Sequence, residues 1–211
     1  MSEKIDMHVH SDKSSDGLAS ISELMAAAKK AGLAGIAICD HNYIHKEKVK
    51  PKDLLLIYGV EVSTDRGHVA LFGVDSIPTR NAEKLCEWAK AENGVVVPTH
   101  PFSLHKKGLG KRAVELGTCV EKFNGTDPIN NIISSFMIKN GTGGSDAHHP
   151  AEIGLAWTEF EDVSDEDELL EALRKGRFQG KVSHNPLKLP IAFSRRVLSR
   201  IGRGKALIPK I

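Results

Sequence analysis

Apolar residues in this chain come in short clusters separated by amphipathic stretches, the pattern of strands alternating with helices. Residues 4–9 read as a first strand, and the capping-box spacing Ser20-x-x-Glu23 opens a helix that closes near Gly32. The run 34–39 is short enough for a buried strand, and 54–62 turns through Thr64-Asp65-Arg66-Gly67 into 68–74 as a hairpin. Thr79 or Asn81 starts a helix that runs to about Asn93. Strands follow at 94–98 and 118–123 with a short helix, 111–116, between them, and 128–139 is a helix with proline in its first turn. The alternation continues through 141–145 to a strand at 156–160 and a helix at 164–175, capped by Ser164 and Gly176. This order predicts an α/β fold with a parallel sheet, either closed into a barrel or open and doubly wound. Neither an internal repeat nor a low-complexity segment is visible.

A chain of 211 residues has room for one hydrophobic core and a short appendage. No apolar run approaches the roughly 18 residues that span a bilayer, and no signal-peptide core follows Met1, so a soluble, cytoplasmic protein is expected. Cys39, Cys86 and Cys119 are too scattered for a disulfide framework or a zinc knuckle and are expected to be reduced and buried. The net charge of +2 hides an asymmetry: residues 181–211 carry eight Lys/Arg and no acid, against 21 basic and 27 acidic residues before them. The expected division is a domain over 1–180 and a basic tail over 181–211. In that tail Arg195, Arg196, Arg200, Arg203 and Lys205 interleave with Val197, Leu198 and Ile201. This suits either a solvated terminus or a basic amphipathic helix for nucleic acid, an anionic surface or a partner.

The chemistry concentrates at strand ends. His8-x-His10, Asp40-His41, His68, His100-Pro101 and Asp146-x-His148 all fall there, with Asp16 and Glu61 in comparable positions. His8 and His10, two apart on a strand, project to one face. Alone, such a pair is as well explained by two hydrogen-bonded polar residues, but in barrels the strand ends converge on one mouth where catalytic groups collect. Imidazole and carboxylate donors without thiolate suit Zn, Mn or Fe, and Glu61 could bridge two ions. Several adjacent cations imply an anionic substrate, and phosphate esters fit the chemistry that clustered metals supply. Asp40 is expected to orient His41, Glu121 to be structural or to support a ligand, and His45 and His184 to lie on the surface. His105, Lys106, Lys107 and Arg112 follow the His100 strand, where they either hold a substrate phosphate or form a solvated loop.

The ordered motifs His8-Val-His10, Ser15-Asp16-Gly17, Cys39-Asp40-His41-Asn42, Gly59-Val-Glu61, Thr99-His100-Pro101 and Gly144-Ser-Asp146-Ala-His148 closely resemble the PHP (polymerase and histidinol phosphatase) family, over roughly residues 4–178. The resemblance implies a distorted (β/α)7 TIM-like barrel with a trinuclear metal site at the C-terminal ends of the strands. In that site His8, His10, Glu61 and Asp146 would hold one divalent ion, Asp16, His41 and His148 a second, and Glu61, His68 and His100 a third. Glu61, Asp146 and His148 are the expected catalytic residues. The activity implied is hydrolysis of a phosphomonoester, on a nucleotide or small metabolite, by metal-bound hydroxide. Larger phosphatase-like relatives insert helices between the His68 and His100 regions, but only 31 residues separate these two here. A minimal cap leaves two other readings open: cleavage of phosphodiesters at nucleic-acid ends, and a metal-stabilised scaffold without catalysis.

Overall fold

The computed structural model describes residues 2–185 and 187–202; Arg203 and Lys205 of the tail lie outside them. Its strands are β1 (Ser2–Val9), β2 (Gly35–Ile38), β3 (Leu55–Ser63), β4 (His68–Phe72), β5 (Val95–Pro98), β6 (Glu121–Asn124), β7 (Thr142–Gly144), β8 (Ala156–Glu161) and β9 (Phe178–Val182). The helices are α1 (Ile21–Lys30), α2 (Ala82–Ala91), α3 (Arg112–Leu116), α4 (Pro128–Met137), α5 (Glu166–Lys175) and α6 (Lys188–Gly202). Most begin where the sequence says they should. Ser20 and Glu23 close the capping box on α1, Asn81 accepts from the Lys84 amide at the start of α2, and Gly176 ends α5 with φ 68°. The cap of α5 is Asp165, one residue past the expected Ser164, which is tied to Glu168 instead.

A seven-stranded sheet runs in the order β5-β4-β3-β2-β1-β8-β9, with β6 and β7 as a separate parallel pair. The expectation of a parallel sheet holds only for β1–β2–β3 and β6–β7. The β3–β4 hairpin, the β4–β5 pair, and β8 and β9 at the other edge are antiparallel. Strand β9 follows so closely on α5 that the sequence pattern did not separate it.

The sheet curls, and the two-stranded pair sits across its opening. Thr118 and Cys119, just before β6, donate their amides to Val96 O on β5. Asp146 N donates to His8 O, and His10 N to Ala147 O, joining the segment after β7 to the end of β1. Inside the curl lie Met7, Ala37, Ile57, Ala70, Phe72, Val95 and Val97. Outside it, α1 covers Ile36 and Ile38, and α2 covers Val69, Leu71 and Val96. Phe72 is fully buried, so truncating it to alanine is expected to cost about 3–5 kcal/mol.

One irregularity aims the first motif. Asp6 pairs with Ile36 and Val9 with Ile38, so β1 spends an extra residue between these pairs, a β-bulge. Met7 still packs inside the curl while Val9 packs outside against the α1 layer. The shift in phase turns His8 and His10 into the mouth.

Candidate metal centre

Glu61 shares a strand face with Ile57 and Gly59, the inward face of β3, and its carboxylate is 1% exposed at the centre of the mouth. The His8 and His10 Nε2 atoms each stand 3.4 Å from Glu61 Oε2, and 3.0 Å from one another. His41 Nδ1 lies 3.1 Å from the same oxygen. On the other oxygen, Oε1, Thr99 Oγ1 donates at 2.6 Å, His100 Nε2 lies at 3.2 Å and His68 Nδ1 at 3.5 Å. His68 heads an antiparallel strand, so it reaches the same rim as the C-terminal ends of β1, β2, β3 and β5. Asp146 Oδ1 approaches His10 Nε2 at 3.3 Å and His8 Nε2 at 3.7 Å. Asp16 Oδ2 meets His148 Nε2 at 3.0 Å and His41 Nε2 at 3.7 Å.

All nine residues assigned to metal from the sequence therefore converge. Among the described residues, donor atoms within 4.8 Å of one another form three triplets: His8, His10 and Asp146; His10, His41 and His148; and His41, Glu61 and His68. His10 joins two of them, so the donors do not separate as cleanly as the motif grouping implies. The local backbone is bent to present them. Asn42, His100 and Asp146 have φ of 57°, 30° and 55°, a region that costs a non-glycine residue about 1–3 kcal/mol. Gly144 permits the approach of β7, because a Cβ there would stand 2.4 Å from the His8 Cβ.

A second layer of groups was less legible. Glu121 Oε1 accepts from His8 Nδ1 at 2.9 Å, which fixes the tautomer that leaves Nε2 facing the mouth. Its Oε2 accepts from the His100 amide at 2.7 Å. Asp40 does not reach His41; it accepts from the Ser11 amide and hydroxyl, from Ser14 Oγ and from His45 Nε2. Ser14 Oγ in turn holds the His41 amide and contacts His10 Nδ1. His45, expected at the surface, is 7% exposed because it closes this network. Glu152 Oε2 accepts from the His148 amide at 2.8 Å, an unforeseen support.

Of the four proposed phosphate-binding residues, Lys106 is at the centre: its ammonium contacts Asp146 Oδ2 and lies 2.7 Å from Thr126 Oγ1. His105 is exposed beside Asp127 at 3.9 Å, Lys107 is exposed, and Arg112 turns away to Glu83 on α2. A groove of about 540 Å³ lined by Ile5, Ala34 and Leu55 lies at the opposite end of the strands, away from this chemistry.

Charge in the mouth is balanced by opposing groups. Burial disfavours protonation of His8, but Glu61, Asp146 and Glu121 outweigh it and hold its pKa well above the ordinary value. Burial, then the neighbouring His148 and His41, push His10 down to about 3. Glu61 and Asp146 resist desolvation and stay ionised, Glu61 through His8 and His41 and Asp146 through Lys106 and His8. The donor set fits divalent cations by a further sign: Asp16 Oδ1, Glu61 Oε2, His41 Nδ1, His68 Nδ1 and His100 Nδ1 are buried with no hydrogen-bond partner. Such atoms cost about 1–3 kcal/mol each unless something binds them.

Comparison with known proteins agrees with this architecture. A family model described as PHP-associated matches residues 135–178. An uncharacterized protein of Methanocaldococcus jannaschii is 30% identical over 157 residues, covering 64% of this chain and 92% of the relative. PsfC from Pseudomonas syringae superposes with a TM-score of 0.73 at 18% identity, over 92% of this chain and 98% of PsfC. The lesion-specific endonuclease PfuEndoQ of Pyrococcus furiosus gives 0.61 at 17%, over 85% of this chain and 58% of the endonuclease. A Bifidobacterium adolescentis protein, named as a candidate metal-dependent phosphoesterase, gives 0.57 at 17%, over 80% and 95% of the two chains. The motifs at the strand ends and the PHP-associated family model matched over residues 135–178 make this chain a member of the PHP domain family.

Proposed function

We propose that this protein is a metal-dependent phosphoesterase that hydrolyses a phosphomonoester on a nucleotide or small metabolite. The observation that carries the reading is the convergence of nine imidazole and carboxylate side chains, Glu61 at their centre, with the Lys106 ammonium at their edge. His8, His10, Glu61 and Asp146 would hold one cation, Asp16, His41 and His148 a second, and Glu61, His68 and His100 a third, with Mn, Zn or Fe as candidates. When bound, such cations acidify water and neutralise the non-bridging oxygens of a phosphate.

The chain's own groups do the rest. Glu121 holds the His8 ring so that Nε2 faces the mouth. Ser14, anchored on Asp40, fixes His10 and the His41 backbone together. Lys106 offers a cationic donor to a substrate phosphate on the side of Asp146. Burial keeps competing water away from Glu121, His8, Ser14, Asp40 and His10.

The short path from His68 to His100, spanned by α2 alone, favours a second reading in which phosphodiesters also enter. The endonuclease among the structural neighbours supports that fold as able to carry such activity. Protein loaded with Mn or Zn should release phosphate from an aryl phosphate, and Glu61→Ala or Asp146→Ala should abolish release. A bis-aryl phosphate and a short oligonucleotide run alongside separate the two substrate classes. Release that survives both substitutions rules out this mechanism, and cation binding without turnover of any ester favours a scaffold.

A further inference from the structure

Helix α6 belongs to the basic tail, yet its inward face ends beside the metal centre. Arg200 is 3% exposed and donates from Nη2 to the backbone carbonyl of Asp16 at 3.1 Å. One turn earlier, Arg196 Nη1 lies 3.3 Å from Glu152 Oε1. The other oxygen of Glu152 accepts from the amides of His148 and His149, at 2.8 and 3.1 Å. Two guanidinium groups thus hold, from behind, the two residues whose side chains meet at 3.0 Å, His148 and Asp16.

Burying a guanidinium costs several kcal/mol unless it is paired, so its partners indicate what it is there to do. Arg200 grips the Asp16 carbonyl, and Arg196 a carboxylate that in turn grips the His148 amide. The Asp16 Oδ1 atom is itself buried without a hydrogen-bond partner. A cation drawn to that atom needs the Asp16 loop and the His148 segment in register, and these two lie far apart in the chain. Helix α6 contacts both through charged side chains.

We infer that α6 is a strut for one end of the metal centre, with Arg196 and Arg200 as positioning residues that set cation affinity at Asp16, His41 and His148. The inference rests on the cation-binding reading given above. It makes the Asp16 and His148 end of the site more dependent on the tail than His8 and His10, which are carried at the end of β1.

Titration of metal-free protein with Mn²⁺, followed by calorimetry and by the EPR signal of free Mn²⁺, tests the strut. The Arg196→Ala/Arg200→Ala protein should bind one class of Mn²⁺ at least about 10-fold more weakly, the scale seen when supports of metal ligands are removed, with the remaining class unchanged. Arg200→Lys, which keeps a donor, should recover part of the loss, and Arg195→Ala, on the exposed face, should match the native protein. Arg196→Ala alone provides the milder variant should the double variant fold poorly. An unchanged isotherm, or equal weakening of every class in step with a lower Tm, overturns the strut. If the native protein itself binds no Mn²⁺, the cation reading falls first and the strut with it.

Discussion

His8 Nδ1 and Glu121 Oε1 lie 2.9 Å apart, 113 residues from each other in the chain and both buried. The carboxylate dictates which ring nitrogen of His8 carries the proton and which faces the centre of the mouth. Glu121→Gln should leave the fold intact, since the amide oxygen can still accept from His8 Nδ1 or from the His100 amide. It should weaken cation binding about 10–100-fold, as removal of such partners does elsewhere. Calorimetric titration of the variant checks this; native affinity would show that Glu121 does not tune His8.

Cation affinity should rise with pH through the neutral range. The carboxylates around His8, and Asp16 beside His148, outweigh burial and raise both imidazole pKa values, so the cation-free protein carries protons there that a cation must displace. By the same sign, the stability these two groups give the cation-free fold is fully present below about pH 6.5 and is lost as pH rises through their folded values. Calorimetry in buffers of different ionisation enthalpy counts the released protons, and a count of zero at pH 7 contradicts the assignment.

Gly144→Ala should damage the site more than its size suggests. The added methyl would stand 2.4 Å from the His8 Cβ and 2.8 Å from its amide nitrogen, so β1 and β7 must part. Overpacking of this kind costs about 1–3 kcal/mol, readable as a lowered Tm. Cation binding should fall with it, because both His8 and Asp146 flank the contact.

Lys106→Ala should raise KM for a phosphate ester by roughly 10-fold or more, the scale of one charged hydrogen bond, while leaving the fold unchanged. Cation affinity at Asp146 should rise, because the ammonium no longer competes for Oδ2. Steady-state kinetics beside a Mn²⁺ titration measure both, and a drop in kcat at constant KM would place Lys106 in a different role.

The rim of candidate metal-binding residues was legible because they are marked locally: most sit in short motifs at the end of an apolar run. Its supports were not, because they are single residues whose partners are remote. Glu152 and Arg196 carry no signal until His148 and α6 are folded together, and His45 looks like any polar loop residue until Asp40 is seen to be buried. In the fold, the helix caps and the β3–β4 hairpin were readable from turn chemistry and periodicity. The bulge between Asp6 and Val9 was not, since alternation alone places His8 and Met7 on opposite faces. Nor were the antiparallel pairings of β8 and β9, which depend on where chain ends dock rather than on local pattern.

The most direct test is anomalous diffraction at the manganese edge from crystals of the protein soaked in Mn²⁺. More than one peak should appear within the ring of His8, His10, His41, Glu61 and Asp146, each bordered by imidazole nitrogen and carboxylate oxygen. A map without a peak inside that ring, from crystals soaked to millimolar Mn²⁺, would contradict the metal centre and the hydrolase built upon it.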